Sequence, residues 1–223
     1  MKNTNTYLLL TGLLISLTVP TNSAPNKLAH PKHKTVPSRK SSVSPTVDTW
    51  KPDPKLLNNL AEDTTAGRFN LRLPEGYTEL PRPSAMNAPN LVNFDTHFYS
   101  SSRRSDGTAP TIALIIATAP SDKVQTLTLD DAMKGTLEQK KSQWQNFTQS
   151  PAQDGNIGGI AFKRVYFKGL VSGAAGTRMA HGFAYVAIDG NSILNFQAED
   201  VEPYNDETIS VAQASILTIH KKR

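Results

Sequence analysis

Ser172, His181 and Asp95 are the residue types of a hydrolytic triad: a hydroxyl nucleophile, an imidazole to take its proton, and a carboxylate to orient the ring. Nothing in their spacing predicts that they meet. Ser172 stands in Gly-Leu-Val-Ser-Gly, which does not fit the Gly-x-Ser-x-Gly nucleophile elbow. His97 is the other histidine inside the expected domain apart from His220 near its end. A histidine near a strand end most often serves a hydrogen bond alone. The surrounding Gly169–Gly176 stretch is rich in glycine, but a phosphate loop needs a helix after it and here a strand follows. It reads as a loose strand connection.

Other groupings are weaker still. Glu199, Asp200, Glu202, Asp206 and Glu207 concentrate oxygen ligands of the kind calcium takes, without the alternating spacing and glycine of an EF-hand loop. Acids beside a helix start are ordinary dipole partners. His30 and His33 lack a third metal ligand close by. The chain has no cysteine, which excludes disulfides, thiol catalysis and zinc ribbons. Asn146-Phe-Thr148 is a glycosylation sequon where the source glycosylates by that rule. The sequence therefore predicts a protein that is not an enzyme, with no catalytic residue, no cofactor and no assigned metal ligand. The alternative is a hydrolase or ion-dependent enzyme using His181 near Gly169–Gly176.

The elements that must position these groups begin with targeting. Lys2, the apolar run Tyr7–Val19, Pro20 and the small residues Thr21-Asn-Ser23 have the anatomy of a signal peptide over residues 1–23. The expected location is secreted or periplasmic. The apolar run is too short to span a bilayer comfortably, so no transmembrane segment is expected in the mature chain. Residues 24–52 are rich in Pro, Ser and Lys and read as a disordered basic linker, a spacer or a tether to anionic lipid or cell-wall polymer. Residues 24–55 hold seven basic residues against Asp48 and Asp53, and Lys221-Lys222-Arg223 adds more. The net charge of +5 thus belongs to the ends, and the span between them is mildly acidic. A nucleic-acid groove on the folded part is not expected.

A single α+β domain is predicted over 53–223, an antiparallel β-sheet flanked by helices. Asp53-Pro54 starts a short helix carrying Leu56, Leu57 and Leu60. Arg68–Leu73 alternates as a half-buried strand and Pro74–Tyr77 turns it. Pro81, Pro83 and Pro89 mark an irregular loop, and Leu91–Tyr99 is a second strand. Thr111–Thr118 is continuously apolar and belongs at mid-sheet. Thr128 and Asp131 form a capping box for a helix to Phe147, with Leu129, Met133, Leu137, Trp144 and Phe147 as its stripe. A meander from Gly159 to Asp200 follows, with Asp189-Gly190 as a hairpin turn. A last helix, capped by Asn205 or Asp206, buries Ile209, Ala212 and Ile216.

Phe69-Asn-Leu-Arg-Leu-Pro-Glu-Gly-Tyr77, the Val186–Gly190 hairpin and the Ala214-Ser-Ile216 ending resemble the PsbP-like family over about residues 66–220. The resemblance implies an α/β/α sandwich and a non-enzymatic role. Some members dock on photosystem II and help retain its inorganic ions, a eukaryotic member binds a nuclear transport GTPase, and others are exported bacterial proteins. A protein or cell-surface polymer partner is therefore expected. No family site residue matches a position here.

Overall fold

A computed structural model describes residues 50–81, 93–119, 127–173 and 176–222. The signal peptide, most of the linker with His30 and His33, the Pro83 and Pro89 loop, Val92 and Ala174-Ala175 lie outside the described residues. The strands are β1 (Leu60–Ala66), β2 (Phe69–Pro74), β3 (Thr78–Glu79), β4 (Asn93–Ser100), β5 (Thr111–Thr118) and β6 (Gln145–Gln149). They continue as β7 (Gln153–Ile157), β8 (Ile160–Gly173), β9 (Gly176–Asp189), β10 (Ser192–Val201) and β11 (His220–Lys221). Helix α1 spans Leu129–Gln143 and α2 spans Asn205–Ile216.

Among the described residues the strands form two antiparallel sheets. The larger runs β3-β4-β5-β10-β9-β8, and the outer edge of β8 is shared by β6 and β7. The smaller runs β1-β2-β11. Strand alternation divides the large sheet into two faces. Ile116, Leu194, Ala187 and Phe162 lie in one ladder row and face α2 and the small sheet, where Phe69, Leu71, Ala212 and Ile216 meet them. Val165, Ala184, Val186 and Ile193 face the other way, onto Met133 and Leu137 of α1. The fold is α+β, with a helix on each face and a three-stranded sheet sharing the α2 side.

Local chemistry accounts for most elements. The hydroxyl of Thr128 accepts from the Asp131 amide at 3.1 Å, and the Asp131 carboxylate accepts from the Thr128 amide at 3.1 Å, so the capping box is formed. β5 sits between β4 and β10 and is covered on both faces, as its apolar run requires. The hairpin turn consists of Gly190 and Asn191, one residue on from the expected Asp189-Gly190, because Asp189 pairs with Ser192 as the last residue of β9; Gly190 takes φ +60°.

Four further expectations are corrected. The Asp53-Pro54 helix is a single 3-10 turn, Leu56–Asn59, begun by the Lys55 amide donating to Asp53 Oδ1 at 2.9 Å. Leu60 then enters β1, because β2 offers it a pairing edge. Helix α1 stops at Gln143 rather than Phe147. Trp144 turns to extended geometry (φ −107°, ψ 130°), and its ring packs edge-on to Phe167 at 5.2 Å from the sheet side. Neither Asn205 nor Asp206 caps α2: Tyr204 holds that position without a side-chain bond. Finally, Gly169–Gly173 and Gly176 belong to paired strands rather than to a loose connection. β8 and β9 pair continuously from Phe162↔Ala187 to Gly173↔Gly176.

Candidate functional site

A polar cluster lies at the end of the large sheet where β10 ends, β9 begins and the 101–110 loop joins β4 to β5. Asp200 follows Ala198 on the α2 face of β10, and its side chain is wholly buried. Such a carboxylate is costly unless it is paired and hydrogen-bonded. Arg104 supplies the pairing, donating from Nη1 to Oδ1 at 2.8 Å and from Nη2 to Oδ2 at 2.6 Å. This is the two-pronged match of a planar guanidinium to a carboxylate. The Val201 amide donates to Oδ1 at 2.8 Å.

The loop is shaped to deliver Arg104. The Thr108 amide and hydroxyl both donate to Asp106 Oδ1, at 3.0 and 2.7 Å, and the Arg104 amide donates to the Thr108 carbonyl at 2.8 Å. The Thr108 hydroxyl and amide, with help from Arg178 at 2.7 Å, hold the Asp106 carboxyl well below the usual range. The guanidinium of Arg104 lies 4.1 Å from the centre of the Tyr204 ring, a cation–π contact. Its hydrogen bond to Asp200 raises its pKa further. Burial, and then the charge of Asp200, push the Tyr77 phenol up, so its hydroxyl stays protonated.

His181 stands beside this cluster, opposite Asp200 on β10 and Lys168 on β8. Its Nε2 lies 2.9 Å from Glu202 Oε1. It does not meet the other members of the triad considered from sequence. Ser172 is four ladder positions beyond Lys168, about 13 Å along the hairpin, and its hydroxyl contacts Thr177 Oγ1 at 3.1 Å. Asp95 lies three strands away, on β4. There it sits 3.0 Å from Nε2 of His97, whose Nδ1 is 2.9 Å from Glu79 Oε1. Asp95, His97 and Tyr99 share one face of β4 by alternation, and Glu79 reaches them from β3, opposite Tyr99.

The acids grouped by sequence at 199–207 are dispersed by the fold. Glu199 faces α1 and pairs with Lys140. Asp200 points to the opposite face, Glu202 engages His181, and Asp206 accepts from Asn205 Nδ2 at 2.8 Å. Among the described residues no three His, Asp or Glu side chains gather as a metal site would need. Sequence reading missed Arg104, Glu79 and Tyr77 as site residues. Alternation on β4 gave a signal for Asp95 and His97, but none pointed from Arg104 to Asp200.

No family model and no curated protein matches the chain. Solved structures similar to it include cyanobacterial PsbP (CyanoP) from Synechocystis, at 16% identity and a TM-score of 0.49, covering 82% of this chain and 99% of that one. Another is LpqN of Mycobacterium tuberculosis, described as involved in cell envelope biogenesis, at 15% identity and a TM-score of 0.46 (70% and 83% covered). A third is the Ran-binding protein Mog1p of Saccharomyces cerevisiae, at 12% identity and a TM-score of 0.46 (73% and 95% covered). PsbP is the family whose opening motif the sequence resembles.

Proposed function

We propose that this chain is an exported, non-catalytic binding or accessory protein of the cell envelope or extracellular space, acting on a protein or cell-surface polymer. Residues 1–23 would direct its export and residues 24–52 would space the domain from its point of attachment. The observation that carries the reading is the way the polar side chains are used. His181 is held by Glu202, His97 lies between Asp95 and Glu79, and Asp200 is sealed under Arg104. Each group spends its hydrogen bonds on a different partner, and the Ser172 hydroxyl lies far from either imidazole. General acid–base or nucleophilic catalysis requires such groups to converge on one reacting position.

Among the described residues no helix is long and apolar enough to cross a membrane. The experiment is a pull-down from envelope extract with the mature chain as bait. A specific protein or polymer, lost when the bait is heat-denatured, is the expected result. Recovery of nothing above the control would count against the proposal.

A further inference from the structure

Trp50 falls in the segment read from sequence as linker, yet its ring is seated on the domain. The indole packs against the larger core on the α2 side, where β7 pairs with β8. It meets the Tyr185 ring edge-on at 5.5 Å, and the Arg164 guanidinium carbon lies 4.4 Å from its centre. The strand beneath leaves space for it at Gly155. A Cβ there would stand 1.9 Å from Trp50 Cε2, an overlap that any larger residue would have to resolve by moving the ring.

Arg164 explains why a ring is wanted. It is fully buried, an unusual place for a guanidinium. Its Nε and Nη2 donate to Gln153 Oε1 at 3.1 and 2.6 Å, and its Nη1 donates to the Tyr185 hydroxyl at 2.9 Å. These bonds lie in the guanidinium plane. The rings of Trp50, Tyr166 and Tyr185 surround the group at 4.4, 5.2 and 5.4 Å. Aromatic faces are what a desolvated guanidinium takes once its in-plane donors are used.

We propose that Gly155, Arg164, Tyr166 and Tyr185 form a docking slot for a planar aromatic ring, filled by Trp50 of the same chain. The segment preceding the domain is then latched to the β7–β8 edge, and the latch shields Arg164 from water. The slot is defined by its own geometry and does not depend on which partner the domain binds.

The test uses the mature chain and two variants. Trp50→Ala vacates the slot and lowers the melting temperature by several degrees. Millimolar indole should recover part of that loss, because a ligand bound only by the native state stabilises it by mass action. Gly155→Val fills the slot from below and expels the ring, so Trp50 emission moves to the red and acrylamide quenching rises. Trp144, the other tryptophan, is buried under α1 and serves as the unchanged reference. Quenching unaltered by Gly155→Val, Trp50→Ala melting with the native chain, or indole leaving the Trp50→Ala melt unmoved would each overturn the latch. Should Trp50→Ala fail to fold, the Gly155→Val quenching decides alone.

Discussion

Arg104 and Asp200 are 96 residues apart in sequence and meet in two parallel hydrogen bonds of 2.8 and 2.6 Å over a fully buried carboxylate. Removing one partner leaves the other charge without compensation. Arg104→Ala is expected to cost about 3–5 kcal/mol, and Arg104→Lys less, since an ammonium pairs without the fork. The double change Arg104→Met with Asp200→Leu should recover most of the loss. Urea unfolding of the three variants checks this, and a double variant no better than Arg104→Ala would contradict it.

Gly182 marks where β9 passes under its neighbours. A Cβ there would lie 2.6 Å from the Ala198 carbonyl oxygen and 2.6 Å from Phe167 Cε2. One contact is backbone, so the strain cannot be relieved by a side-chain rotation alone. Gly182→Ala should destabilise by about 1–3 kcal/mol, measured by thermal melting. An unchanged melt would mean that the strands separate more easily than their ladder suggests.

Phe183 is fully buried between Tyr185 at 5.3 Å, Phe196 at 6.1 Å and Tyr166 at 6.3 Å. Phe183→Ala should cost about 3–5 kcal/mol through lost burial and the cavity left behind. Equilibrium unfolding in denaturant reads the loss, and Phe183→Leu should retain more than half of the stability that the alanine variant loses.

The α1 cap sets an acid dependence. The Thr128 hydroxyl, and then its amide, hold the Asp131 carboxyl below its ordinary range. The folded chain therefore binds that proton more weakly than the unfolded one. The cap's contribution is complete above the unfolded carboxylate value, about pH 4, and is lost as pH falls through the lower folded value. Thr128→Ala should lower the melting temperature at neutral pH and narrow the gap to the native chain as the solution is acidified. A gap constant down to about pH 2 would remove Asp131 from the account.

The readings that held from sequence depend on neighbours within a few residues. The Thr128–Asp131 box is complete within one turn, and the Thr111–Thr118 run needs only its own composition to claim mid-sheet. Leu56, Leu57 and Leu60 fit helical spacing equally well, and only the edge of β2 decides that Leu60 begins a strand. Trp144 continued the α1 stripe in sequence, but the Phe167 surface drew it into the chain's turn toward β6. The glycines from Gly169 onward read as a connection on composition alone, since glycine has no side chain to show strand alternation. Gly169 is instead a close-packing position, where a Cβ would fall 3.0 Å from the Gln145 carbonyl oxygen. The Arg104–Asp200 and Trp50–Arg164 contacts leave no periodic trace, since each joins residues that share neither a turn nor a ladder.

β2 receives its second neighbour only from β11, with Asn70 opposite His220. The join is reinforced by the Arg72 amide donating to Thr218 Oγ1 at 2.9 Å, 146 residues along the chain, and by the Ser215 hydroxyl donating to the Arg72 carbonyl at 2.6 Å. The β8–β9–β10 hairpins, by contrast, close over short turns and carry little loop-closure entropy. Loop-closure cost is therefore lower for the hairpins than for the three-stranded layer. The α2 face of the large sheet is thus closed by two segments far apart in sequence, Phe69–Leu73 from β2 and Ala212–Ile219 from α2 and the residues after it, held to each other by the Arg72 contacts.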